Sequence, residues 1–169
     1  PDWCISRQRA WGLPIPAFVM KTGGDETTFM TDVVVRAVIA VVREKGSDAW
    51  FTLPPSALLA GYSPEQDTDP AARDARFLAA FKGGTVDQVL TKGGDILDVW
   101  FESGSSWNAV LRTRNLGYPA ELYLEGSDQH RGWFQASLLP ALGVTGRAPY
   151  RTLLTHGFVV DRDGKKLSK

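Results

Sequence analysis

Tyr123-Leu124-Glu125-Gly126-Ser127-Asp128-Gln129-His130-Arg131-Gly132-Trp133-Phe134-Gln135 is the stretch on which the fold turns. The apolar run from Leu122 to Leu124 ends in a carboxylate. Small and polar residues follow, and Trp133, Phe134, Leu138 and Leu139 then recur at helical spacings. The pattern predicts a strand, a turn and a helix, with Glu125, Asp128 and Gln129 gathered at the carboxyl end of the strand. In open α/β sheets, ligands bind in the crevice outside those strand ends. Gly126 allows backbone to approach a ligand closely, and a helix start offers free N–H groups to an anion or a hydroxyl. Acceptors, amides and large aromatics in one turn suit a polar ligand with an apolar part. The same residues admit a plainer reading, with Asp128 as a helix cap, Glu125 as a solvated strand end, and Trp133 and Phe134 as core.

A second segment, Leu153 to Lys169, bears on that choice. Val159 and Val160 are β-branched, and Asp163-Gly164 is the dipeptide of a tight turn. Lys165, Lys166 and Lys169 then surround Leu167 and Ser168. Such an end is ordinarily a solvated tail. Placed behind a buried strand, it becomes a candidate mobile basic loop for phosphates, because an ammonium is a compact charge with freely rotating donors. Chemistry at phosphorus needs positive charge where negative charge develops.

Composition bounds the class. A chain of 169 residues can hold a real core. Lysine plus arginine number 19, as do aspartate plus glutamate, so the overall charge carries no nucleic-acid footprint. Cys4 stands alone, which excludes an internal disulfide and a cysteine-rich zinc site. The longest apolar stretch, Val33 to Val42, is broken by Arg36 and is too short to span a membrane. No signal peptide pattern opens the chain, and a reducing, cytoplasmic setting is the expectation.

Along the chain, Ile5 to Trp11 is expected to be helical and Leu13 to Met20 extended, with Gly23-Gly24 a turn. Thr31 or Asp32 caps a helix whose apolar positions are Val34, Val35, Val38, Ile39, Val41 and Val42, stopped by Gly46. Leu53-Pro54-Pro55-Ser56 begins a short helix to Leu59. Asp69-Pro70 opens a helix over Ala71 to Phe81, ended by Gly83-Gly84, and Thr85 to Leu90 forms another short element. Ile96 to Phe101 is predicted to be a core strand, and Ser105 or Ser106 to cap a helix reaching Arg112. The strand of Tyr123, the helix Gly132 to Leu142, and a last strand and hairpin over Tyr150 to Val160 complete the reading.

Taken together, the residues resemble the second half of the catalytic domain of class I aminoacyl-tRNA synthetases, of the isoleucyl type. Four blocks carry the resemblance in order: Asp2 to Pro16, Asp95 to Gly104, Tyr123 to Gln135, and Thr155-His156-Gly157-Phe158 through Lys166-Leu167-Ser168-Lys169. The last is similar to the approach to the KMSKS signature, with leucine in place of methionine. Glu-Gly-Ser-Asp-Gln-His-Arg-Gly-Trp-Phe, residues 125–134, is closer to the isoleucyl pattern than to the valyl or leucyl one. The matching is weak between Thr22 and Gly94.

The resemblance implies an α/β fold: the second half of a Rossmann-like parallel-sheet domain with a small α-rich insertion. It divides the chain into a return segment (1–21), a connective insertion (22–94) and the second half of the catalytic domain (95–169). It implies activation of isoleucine with ATP and Mg2+ to an adenylate, then transfer to tRNA(Ile), with no protein-bound zinc and no dedicated metal ligands. Lys166 and Lys169 match the lysines that stabilise phosphate charge. Glu125, Gly126, Asp128, Gln129, His156 and Val159 match positions lining ATP and the adenylate, and Trp100 and Trp133 match the walls of the amino-acid pocket. Burial in the core is the plainer role of any tryptophan. His130 is left unassigned, a packed and hydrogen-bonded residue being an equal reading. The chain lacks methionine at its start, ends inside a motif and carries no HIGH motif. A fragment inactive alone is therefore expected, from a monomer with no membrane partner. A valyl- or leucyl-type synthetase, or a non-catalytic nucleotide-binding paralogue, remains the alternative.

Overall fold

Residues 2–22 and 25–167 are described by the computed structural model, in two units: residues 6–97, and residues 2–5 with 98–167. In the first, β1 (Ser6–Arg7) pairs antiparallel with residues 96–97, Ser6 opposite Leu97 and Arg7 opposite Ile96. The helix expected over 5–11 is therefore absent. The backbone of Ser6 and Arg7 pairs with that strand instead, and the chain just beyond joins the same partner: Leu97 N–H donates to the Leu13 carbonyl at 2.8 Å, and Pro14 bridges Ile96. A two-residue strand has to find such partners from distant chain, and that demand overrides local helix propensity.

Strands β2 (Phe18–Thr22) and β3 (Asp25–Phe29) form an antiparallel pair, Phe18 opposite Phe29 and Thr22 opposite Asp25. The expected Gly23-Gly24 turn between them lies outside the described residues. Phe18, Met20 and Phe29 are buried, the period-two signature of a strand with one face on the core. They meet Val34 and Val38 of α1 (Asp32–Lys45). Thr31 caps this helix as expected, its hydroxyl accepting from Val34 N–H at 3.1 Å, and Gly46 ends it with φ of 82°. Ile39 departs from the expectation and is exposed. The buried stripe runs through residues 34, 37 and 38, and Ile39 lies off that arc.

Short helices α2 (Ala49–Thr52) and α3 (Pro55–Leu58) follow. The helix expected over 71–81 is split. Asp69 caps a 3₁₀ turn, Pro70–Arg73, and Asp74 then caps α4 (Ala75–Lys82) by accepting from Arg76 and Phe77 N–H, both at 2.9 Å. A second capping aspartate four residues into the run restarts the helix instead of continuing it. After a 3₁₀ turn at Val86–Gln88, β4 (Leu90–Lys92) pairs antiparallel with β2, giving the sheet order β3-β2-β4. Helices and an antiparallel sheet thus share one core. β5 (Ile96–Leu97) closes the unit against β1.

In the second unit the core strand expected over 96–101 does not extend past Leu97. Asp98, buried, accepts from Trp100 N–H at 2.7 Å and caps α5 (Val99–Gly104). A carboxylate ahead of apolar residues here starts a helix. A π-helical turn, Trp107–Arg112, occupies the place of the expected helix, but no serine caps it: Ser106 makes no capping bond and Ser105 Oγ donates to the Glu102 carbonyl at 2.7 Å. Then come β6 (Ala120–Gly126), a 3₁₀ turn (Ser127–Arg131), α6 (Trp133–Thr145) and β7 (Tyr150–His156). Strands β6 and β7 pair in parallel from Ala120–Tyr150 to Gly126–His156, so the unit holds the strand–helix–strand arrangement of an α/β protein.

Helices α5 and α6 approach closely through Gly104. A Cβ there would collide with the Ala136 carbonyl oxygen. Pro140, inside α6, has no N–H for that carbonyl, and the freed oxygen faces the smallest residue on the neighbouring helix. The hairpin expected within residues 150–160 lies further on, around the tight turn expected at Asp163-Gly164: Val160 bridges Lys166 antiparallel, and Gly164 has φ of 78°. Asp161 Oδ1 accepts from Asp163 and Lys165 N–H, each at 2.9 Å.

Candidate active site

Parallel pairing brings the carboxyl ends of β6 and β7 side by side, and with them residues 30 apart in sequence: Glu125 lies opposite Thr155 and Gly126 opposite His156. Around that end the turn of residues 127–131 folds back. Glu125 Oε2 accepts from Gly126 N–H at 2.8 Å and stands 4.0 Å from His156 Nε2. His156 Nδ1 lies 2.7 Å from the Gly157 carbonyl oxygen, which orients the ring. A Cβ on Gly126 would come within 2.7 Å of Asp128 Oδ1 and 3.8 Å of His156 Cε1. The absent side chain is thus what lets an acid and an imidazole close on the strand end from two segments.

Gln129 takes the capping role that the sequence suggested for Asp128. Its Oε1 accepts from Trp133 N–H at 2.9 Å, and its Nε2 stands 3.4 Å from Asp128 Oδ2. The amide therefore presents its N–H side toward Asp128, whose carboxylate is exposed. Gly132 carries the second close approach: a Cβ would meet Gln129 Oε1 at 2.7 Å and the Trp100 ring at 3.2 Å. Trp100, Gln129 and Gly132 consequently form one small surface next to Asp128.

Trp133 sits differently. Its ring stacks on Tyr123 with centroids 4.2 Å apart and planes 9° from parallel, and its indole N–H donates to the Ser103 carbonyl at 3.1 Å. It thereby packs β6, α5 and α6 together. Burial pushes the Tyr123 phenol up from its ordinary range, opposed by the Ser137 and Ser106 hydroxyls, and it pushes up Tyr150 as well. Both therefore stay protonated at neutral pH.

The hairpin residues keep to their own segment. Lys166 Nζ lies 3.5 Å from the centre of the Phe158 ring, a cation–π contact. The Val159 carbonyl accepts from Leu167 N–H at 2.9 Å while its side chain is exposed. Among the described residues no bond joins Lys166 or Val159 to the turn at 127–131. Lys169 lies outside the described residues.

His130, left unassigned on sequence, has a defined place. Its Nε2 is 3.1 Å from Thr155 Oγ1, and its ring lies against that of Phe134 with centroids 5.3 Å apart and planes 72° from parallel. The signal that would have found it is the β6–β7 register, which pattern reading does not supply. Among the described residues, no group of three or more His, Cys, Asp or Glu side chains converges on a metal position. Nor is any described helix long and apolar enough to cross a membrane.

An acid–amide turn beside an imidazole, at the carboxyl ends of adjacent parallel strands, is the setting in which α/β proteins hold nucleotides. The chain belongs to the family of class I tRNA synthetases (I, L, M and V), which matches residues 1–169. Among its curated relatives are isoleucine–tRNA ligases: that of Acaryochloris marina is 50% identical over 169 residues and that of a Nostoc species 47% identical over 169, each alignment covering 99% of this chain. The isoleucine–tRNA ligase of Nitrosococcus oceani is 49% identical over 173 aligned positions, covering 100% of this chain. The chain spans about 15% of the length of these relatives.

Proposed function

We propose that this chain forms the nucleotide-facing part of the adenylation site of an isoleucine–tRNA ligase, within the second half of a Rossmann-like catalytic domain. The observation that carries the reading is the meeting of Glu125, Gly126 and Asp128 with His156 at the ends of β6 and β7. The identity to isoleucine–tRNA ligases across the whole chain supports the choice of amino acid.

In the proposed reaction the isoleucine carboxylate attacks the α-phosphorus of ATP in line. A bond forms from a carboxylate oxygen to phosphorus, the bond to the bridging oxygen breaks, and pyrophosphate leaves. A hydroxyl of tRNA(Ile) then attacks the acyl carbon of the adenylate, forming the ester, giving up its proton and releasing AMP. No covalent help from the protein is required, so positioning and charge stabilisation dominate. Asp128 accepts from the ribose hydroxyls. Gln129, with Oε1 held by the helix, donates through Nε2 to the aminoacyl part. Glu125, the Gly126 backbone, His156 and Val159 line the nucleotide, and Trp100 and Trp133 the isoleucine side chain. Lys166 and Lys169 stabilise the charge that develops on the phosphates. Mg2+ enters as the counter-ion of ATP, held mainly by phosphate oxygens and water. The segment 22–94 serves as a connective insertion, and the chain by itself does not aminoacylate.

Lys169→Ala in the full-length protein tests the assignment. The rate of isoleucine-dependent ATP–pyrophosphate exchange should fall by about a hundredfold or more, as for loss of a transition-state charge contact, with isoleucine affinity nearly unchanged. An unchanged rate removes the role given to this lysine.

A further inference from the structure

The turn bearing Asp128 and Gln129 and the strand end bearing His156 belong to different segments, and their relative placement must be held by something. Backbone pairing runs only to Gly126 and His156. The turn itself is a 3₁₀ helix of five residues between Gly126 and Gly132, a form with poorer hydrogen-bond geometry than an α-helix. Gln129 fastens its far side to α6. Its near side is fastened to β7 by one contact between side chains, His130 Nε2 to Thr155 Oγ1 at 3.1 Å, with the imidazole set nearly perpendicular to the Phe134 ring, centroids 5.3 Å apart. Thr155 immediately precedes His156, so whatever fixes Thr155 also fixes where the backbone presents the next side chain.

From this placement we infer that His130 is a positioning residue for the nucleotide half of the site, acting through the Thr155 hydroxyl. It touches neither phosphate nor amino acid. It keeps the 127–131 turn in register with the end of β7, so that Asp128 on one segment and His156 on the other engage the same nucleotide. Without it the turn is still capped by Gln129 and the strands still pair, so the fold survives while the two halves drift apart. The inference rests on the adenylation reading for what the site binds, but its geometry concerns nucleotide affinity alone.

Thermal melting, direct ATP binding by equilibrium dialysis, and isoleucine-dependent exchange together test it in the full-length protein. The variants are His130→Ala, His130→Gln, Thr155→Val and the double variant His130→Ala/Thr155→Val. His130→Ala and Thr155→Val should each weaken ATP binding and raise the KM for ATP by about five- to tenfold, as expected for one neutral hydrogen bond. The KM for isoleucine and the melting temperature should scarcely move. His130→Gln, whose amide can donate to or accept from the hydroxyl, should restore most of the affinity. The double variant should be no worse than either single one, because both remove the same contact. Unchanged ATP affinity in both single variants overturns the inference, as do additive losses in the double variant or equal losses for ATP and isoleucine. If the wild-type protein binds ATP with this variant pattern but shows no isoleucine-dependent exchange, the adenylation reading fails and the role of His130 stands.

Discussion

Gly126 shows how one missing side chain shapes a site. An alanine there would place its methyl carbon within 2.7 Å of Asp128 Oδ1. That atom ends an exposed side chain which can swing away, so Gly126→Ala should fold normally but displace the carboxylate. The KM for ATP should rise about tenfold, the size of one lost charged hydrogen bond, with the melting temperature unchanged within error. A different residue-scale prediction concerns Tyr62. Its phenol is pushed up chiefly by burial and then by the bond and charge of Asp67. Asp67 Oδ2 accepts from Tyr62 Oη at 2.9 Å and also from Thr31 Oγ1, the hydroxyl that caps α1. The unfolded chain releases the phenolic proton near pH 10, while the folded chain retains it. Stability should therefore be complete below about pH 10 and fall as pH climbs toward the folded-state value. Denaturant titrations between neutral and alkaline pH would show this. Tyr62→Phe should cost about 1 kcal/mol at neutral pH and make the alkaline decline shallower without abolishing it, since Tyr123 and Tyr150 are raised too.

Among the elements, α5 and α6 carry the framework behind the site. Gly104 faces the Ala136 carbonyl oxygen, which is backbone and cannot rotate aside. Gly104→Ala should thus force the helices apart and cost about 1–3 kcal/mol, the range for overpacking, in contrast to the tolerated change at Gly126. Asp98→Ala should cost about 1 kcal/mol through loss of the cap on α5. The cap is also why the strand predicted from the sequence is cut short. Ile96 to Phe101 is apolar enough to suggest a core strand, yet the buried Asp98 ends it after two residues. Likewise nothing local in residues 5–11 reveals that their backbone is claimed by Leu97 and Ile96, some 90 positions away. Elements with their own start and stop signals were legible: α1 between Thr31 and Gly46, the strand–turn–helix from residue 120 to 145, and the hairpin around Asp163-Gly164. Those whose identity depends on a distant partner were not.

For the whole molecule, the candidate site was legible as two sequence blocks, but their meeting was not. Pattern places Glu125, Asp128 and Gln129 in one turn, and the family resemblance adds His156 from another segment. The parallel register is what puts Gly126 opposite His156, and it also gives His130 its partner. Lys166 is the reverse case, conspicuous in the sequence but resting on Phe158 and unbonded to the turn. The proposed function requires that the 125–129 turn and the end of β7 serve one nucleotide. Its most direct test is the ATP dependence of isoleucine-driven pyrophosphate exchange by the full-length protein, comparing wild type with Asp128→Ala and His156→Ala. Both variants should raise the KM for ATP by about tenfold or more while the KM for isoleucine changes little. Exchange that proceeds in either variant with the wild-type KM for ATP would contradict the claim.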